Sequence, residues 1–264
     1  MATIKEQLNA VFVKIMAGTV TREEGGMLLG DLVGTDKAGT LKELEYLLEN
    51  PPQNVHRKTI FHTVILSRDK AFVFLIAKTL DSQDEDLAIV AAEELSRLHT
   101  AEAEKVLSEH LNVETYSTRK ASAAALARGC GANGVKLLRE HLLECTLALY
   151  CDTSTEALLQ AGRAGIETLI EVLACGKEVP TNSAVKALVK APGTLLISEI
   201  RPLVDALMFA GDSDDSVSTV ALLKVIASLG GAAGKYEGFV LAFEENRSSL
   251  VSDEAGRTLA AIRT

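Results

Sequence analysis

Tryptophan is missing from this 264-residue chain, and aromatic residues of all kinds make up 4% of it. A flat site for a planar cofactor, which favours apolar and aromatic linings, is therefore disfavoured, and no cofactor is expected. A surplus of positive charge is missing too. With 36 acidic against 27 basic side chains the formal charge is −9, which repels phosphate backbones and anionic lipid, so neither nucleic acid nor membrane is an expected partner. No uncharged run approaches the ~18 residues of a membrane span. The opening stretch MATIKEQLNAVFVKIM carries charges where a signal peptide needs an apolar segment. A cytoplasmic location is expected on these grounds. Cys130, Cys145, Cys151 and Cys175 form no C-x-x-C pair and no zinc-like spacing. They are too few for a disulfide framework and are expected to be buried free thiols. No β-branched alternation bounded by hairpin turns is present, so strands are not expected.

What is present is a repeat. The stretch AIVAAEELSRLHTAEAEKVLSEHL, Ala88 to Leu111, aligns with RKASAAALARGCGANGVKLLREHL, Arg119 to Leu142, at an offset of 31 residues. The same step places Leu107, Leu138 and Leu169 in one column, and Leu111, Leu142 and Leu173 in another. LIEVLACG at Leu169–Gly176 returns as LVDALMFAG at Leu203–Gly211, and IAKTL at Ile76–Leu80 fills the slot before. Each period holds two helical patterns. Val90, Ala91, Leu95 and Leu98 form the apolar stripe of a first helix; Leu107 and Leu111 are i, i+4 neighbours on a second. Turn-formers such as GCGANG, Gly129–Gly134, lie between them. Capping-box spellings at Thr21–Glu24, Ser82–Glu85 and Thr153–Glu156 predict helix starts.

The Arg119–Leu142 stretch resembles the short HEAT-like repeat of phycobilisome lyase subunits, with its R-x-x-A-x-x-A-L helix, Gly-containing turn and L-x-E-x-L helix. The match is clearest from Asp84 to Gly211. The resemblance implies an all-α fold, an α/α superhelical solenoid of helical hairpins, with second helices lining a concave face. Residues 1–264 are expected to form one such array: 1–69 divergent N-terminal repeats, 70–249 clearer repeats, and 250–264 a C-terminal capping helix. The first hairpin is predicted over Ile4–Met16 and Thr21–Val33. Such repeats serve scaffolds, lyases and a class of iron hydroxylase.

The recurrent Glu-His pairs of LSEHL and LREHL raise the question of a metal or proton-transfer site. On a helix Glu140 lies about 200° from Leu138 and His141 about 60° from it, so the carboxylate faces solvent while the imidazole flanks the core. Adjacent residues so disposed cannot chelate one ion; helical ligand pairs use i, i+3 or i, i+4. The column His110, His141 continues as Val172, a position that accepts an apolar group. The resembled hydroxylases use His-Glu, the reverse order. Satisfied histidines and no metal site are expected.

GGAAGKY, Gly230–Tyr236, fails as a phosphate loop because Leu229 replaces its leading Gly and Tyr236 its Ser or Thr. DSDDS, Asp212–Ser216, fails as a calcium loop because Val217 and Leu223 stand where Gly and Glu belong. No catalytic residue emerges. The remaining candidate is an acidic column on second helices, Glu109, Glu140, Glu171 and Asp205, begun by Lys78 with opposite charge. It suggests a non-enzymatic scaffold for a protein or peptide with a basic segment. An enzyme of phycobilin-lyase type is the alternative, with a hydroxylase or nucleic-acid binder behind it. We expect a far-ultraviolet circular dichroism spectrum of helix alone, from some fourteen to sixteen helices at two per ~30 residues; appreciable sheet signal would contradict the repeat reading.

Overall fold

A computed structural model describes residues 2–80, 84–191, 193, 195 and 197–264, with Ile197 described by its backbone alone. Among these residues are sixteen α-helices and no strand. The chain forms two compact units, Met1–Ala125 and Leu126–Thr264.

The first unit holds α1 (Ile4–Met16), α2 (Arg22–Thr35), α3 (Lys37–Glu49), α4 (Arg57–Leu66), α5 (Val73–Leu80), α6 (Glu85–Leu98), α7 (Ala101–Glu109) and the start of α8 (Tyr116–Gly129). Here α1 packs on α2 and α3, α2 on α4, and α5 on α6. The second unit holds the end of α8, then α9 (Gly131–Glu144), α10 (Ala148–Gln160), α11 (Arg163–Leu173), α12 (Glu178–Lys190), α13 (Ile197–Asp212), α14 (Ser216–Ser228), α15 (Glu237–Leu241) and α16 (Ser249–Ile262). In it α10, α12, α14 and α16 pack in succession as one layer, and α9, α11 and α13 form the other. The fold is an all-α helical repeat.

The repeat columns are the core. Leu107, Leu138 and Leu169 are fully buried, as are Leu142 and Leu173, and Leu111 is nearly so. In α6 the stripe Leu87, Ala88, Ala91, Leu95 and Leu98 is buried, while Val90 is half-exposed at its edge. The first hairpin matches its predicted helices closely. Thr21 caps α2 as expected: its amide and hydroxyl donate to the Glu24 carboxylate and its hydroxyl accepts from the Glu24 amide. The Thr21 backbone bond, then the hydroxyl bond, hold the Glu24 carboxyl below its usual value.

Three local expectations need correction. Thr153 starts no helix; it lies inside α10, buried, and donates to the Leu149 carbonyl. The S/T-x-x-E spelling recurs by chance inside helices, where Thr is tolerated by bonding back to the i−4 carbonyl. For the second box, Ser82 lies outside the described residues, and the side chain that caps α6 is Asp84, accepting from the Leu87 amide. A further box, Thr3 with Glu6, caps α1. GCGANG is a turn only at its centre, since α8 runs through Gly129 and α9 begins at Gly131. Finally, the cysteines are not all free. Cys145, the C-cap of α9, is bonded to Cys151 in α10, with Cα atoms 6.0 Å apart. Spacing rules for frameworks and metal sites do not register this pair, because the helix-to-helix connector itself folds the two side chains together. Cys130 and Cys175 stand outside that bond.

The joint between hairpin helices has its own spelling. Gly131, Gly162 and Gly230 have φ of 54°, 69° and 54°, the left-handed region that glycine enters without a Cβ clash. Three residues after each stands a small residue: Gly134, Gly165 and Ala233, the last fully buried. A methyl group on Gly134 would overlap the Leu126 carbonyl, and one on Gly165 the Leu158 carbonyl. We therefore expect Gly134→Ala and Gly165→Ala each to destabilise the fold by about 1–3 kcal/mol in denaturant melts, the cost of overpacking exceeding the better helix propensity. Gly30→Ala on α2, where an added Cβ meets nothing within 4 Å, should instead stabilise by about 0.5–1 kcal/mol.

Candidate functional site

Glu109 lies in the first unit, at the end of α7; Glu140, Glu171 and Asp205 lie in the second, on α9, α11 and α13. All four carboxylates face solvent, as the helical angles require. Each also has a cation. Glu109 pairs with Lys105 at 3.7 Å and Glu140 with Lys136 at 3.8 Å, both one turn back on the same helix. Asp205 pairs likewise with Arg201 at 2.8 Å, and Glu171 accepts from Arg139 of the neighbouring helix at 3.1 Å. Lys78, which begins the column in the first unit, pairs with Glu45 and Glu49 and sits 5.0 Å over the Phe74 ring. The column is thus charged but locally compensated, and exposed pairs of this kind contribute only ~0–1 kcal/mol each.

Beside the column in the second unit is an open cleft of about 800 Å³, bounded by α9, α11 and α13. Its charged rim includes Arg139, Glu167 and Glu171. Pro202, Ala206 and Phe209 lie along α13 at i, i+4 and i+7, an apolar stripe on one helix face, and the Phe209 ring is 68% exposed. Sequence reasoning missed this stripe. The buried residues Leu203 and Leu207 in the same helix carried the repeat signal, and one residue before each stands a member of the second, solvent-side row. An aromatic in that row is the mark that was legible.

His110 and His141 both bond to neighbouring protein groups. His141 is buried, with Nδ1 2.8 Å from the Ser154 hydroxyl of α10. The Ser–His contact has the form of an activated nucleophile, yet Ser154 is fully buried. His110 Nδ1 lies 2.7 Å from the Val106 carbonyl, and Val172 in the same column is buried. Among the described residues no three His, Cys, Asp or Glu side chains are placed to share a metal ion. No single helix among them is long and apolar enough to cross a membrane.

No family model and no curated protein matches this sequence. Solved structures similar to it include the following three. Human deoxyhypusine hydroxylase in complex with glycerol is 14% identical, with 98% of this chain and 97% of that one covered and a TM-score of 0.38. An engineered protein from a structural genomics consortium is 23% identical over 72% of this chain and 96% of its own, at a TM-score of 0.35. A designed armadillo repeat protein is 16% identical over 71% and 98%, at 0.33.

One histidine couples the first unit to pH. His62 on α4 is half-buried, and burial first, then the charges of Arg22 and Lys58, push its pKa below the ordinary 6.5. The unfolded chain then binds a proton that the folded one resists, so this contribution to stability is full above pH 6.5 and is lost as the pH falls below it. We expect His62→Gln to flatten that part of the stability-versus-pH curve in urea melts; an unchanged acid slope would show that other groups carry it.

Proposed function

We propose that this protein is a non-enzymatic scaffold that docks a protein or peptide segment on its second-helix surface, with the cleft beside Phe209 as the anchor site. The apolar row Pro202, Ala206 and Phe209, left open to water beside a charged rim, is the observation that supports this reading. An aromatic exposed on a helix face beside a cleft gives a partner's apolar side chain something to bury against. Glu140, Glu171 and Asp205 on the same three helices would favour basic residues flanking that anchor, while Glu109, in the first unit, offers a basic segment a carboxylate of its own. Their present pairs do not forbid it, since an exposed ion pair exchanges one cation for another at a cost of ~1 kcal/mol or less. The acidic column would then mainly steer and orient, while the apolar contact holds. A cytoplasmic location belongs to the same proposal. A bilin-lyase activity is less favoured, because Phe209 is the sole aromatic among the described residues lining the cleft.

Selection from a displayed random peptide library should enrich sequences with a large apolar residue flanked by Lys or Arg. Phe209→Asp should weaken them by about tenfold or more without altering the thermal melt, since the ring is exposed. Replacing Glu109, Glu140, Glu171 and Asp205 together with Lys should slow association at low salt. Undiminished binding to the Phe209→Asp chain would remove the cleft from consideration.

A further inference from the structure

Cys145 and Cys151 lie six residues apart across the connector from α9 to α10, and their Cα separation of 6.0 Å is one that a disulfide spans without backbone movement. The neighbouring repeat shows what holds them there. Thirty residues on, Cys175 and Thr181 occupy the same two places on the connector from α11 to α12. Cys175 Sγ lies 3.6 Å from Thr181 Oγ1, and that hydroxyl donates to the Val172 carbonyl. In the first copy Cys151 Sγ lies 4.0 Å from the Leu142 carbonyl. The connector therefore brings these two side chains into contact whether or not a covalent bond can form between them.

We propose that Cys145–Cys151 is a reversible thiol–disulfide pair, a modification site that opens and closes the α9–α10 connector while the helical fold stays intact. The proposal is independent of the docking reading above. Two features make the bond dispensable to the fold. The helices it joins are already held by buried Leu138, Leu142 and Leu158, and closing so short a loop removes less chain entropy than closing a long one. The two sulfurs also differ in access, which sets the order of reaction. Cys145 is half-buried and Cys151 fully buried. A low-molecular-weight disulfide, such as oxidised glutathione, meets Cys145 first. The Cys145 thiolate attacks one glutathione sulfur and breaks the glutathione S–S bond, expelling one glutathione thiolate, which takes up the proton Cys145 gave away. Cys151 then loses its proton and attacks Cys145 Sγ, forming the protein disulfide and expelling the second glutathione, which takes that proton. Two protein thiols are oxidised and one glutathione disulfide is reduced to two thiols; excess glutathione runs the same steps backwards. Leu147 on the connector and Leu149 in the first turn of α10 are each 58% exposed, so what the bond holds or releases is an apolar tip.

The test equilibrates the full chain in glutathione buffers of graded oxidised-to-reduced ratio, traps thiols by alkylation, and maps them by mass spectrometry. Cys145 and Cys151 should convert together between two alkylated thiols and a species lacking two hydrogens, while Cys130 and Cys175 stay thiols. Circular dichroism and the cooperative melt should persist in both states, and hydrogen exchange should change around residues 145–151 only. Cys151→Thr, which copies the neighbouring repeat, should stay folded and leave Cys145 unbonded. A pair that never oxidises in the folded chain, a reduction that melts the helices, or a Cys151→Thr chain that fails to fold would overturn the proposal.

Discussion

A second helix can fold back on a first only if its opening turn comes within contact of the first helix's last carbonyls, and in this protein that approach is made by leaving out side chains. Gly134 lies against the Leu126 carbonyl and Gly165 against the Leu158 carbonyl, each three residues after a glycine in the left-handed region. The first glycine reverses the chain and the second lets the backbones touch. Because the joint is so tight, α9 begins two residues after the end of α8. The buried leucine columns then recur at 31 residues from Leu107 through Leu138 to Leu169. Where the joint is spelled otherwise, the same demand is met by other means: His99 takes the left-handed conformation at φ 48°, and buried Ala103 stands where the close-approach glycine would be.

How much of this was legible depends on the distance over which the cause acts. The 31-residue step, the two helices in each period and the inward Leu107, Leu138 and Leu169 are consequences of helical periodicity, and periodicity is written along the chain. The facing of Glu140 and His141 followed from the same 100° arithmetic and holds, with Glu140 at the surface and His141 buried. Causes that act through space were not legible. Thr153 spells a cap but sits mid-helix because α10 had already begun at Ala148. GCGANG contains three glycines, and only the structure shows that Gly134 is there for contact rather than for turning. Cys145 and Cys151 meet because a connector doubles back, which no spacing rule encodes.

For the candidate surface the division is similar. The acidic column was visible because it repeats, and Lys105, Lys136 and Arg201 are written beside it at i, i+4 on the same helices; Arg139, on the neighbouring helix, reaches Glu171 only through space. A run of like-charged positions along a repeat therefore need not be a run of net charge. The more distinctive feature, Phe209 exposed beside Pro202 and Ala206, does not repeat at all. In a molecule built from copies, what differs between copies is where a specific surface can arise, since the shared positions are already committed to packing.

The compactness of the joint also bears on how such a chain can change over evolutionary time. All that one hairpin asks of its own connection is a chain reversal and a gap three residues later, and both lie inside a single 31-residue unit. An in-frame duplication or loss of one unit carries the whole instruction with it, leaving every remaining joint its full spelling. Substitution within a unit is, by contrast, narrowly constrained at two positions and loosely constrained on the outward row. A gene of this design can alter its length in whole steps more readily than it can alter the shape of any one step.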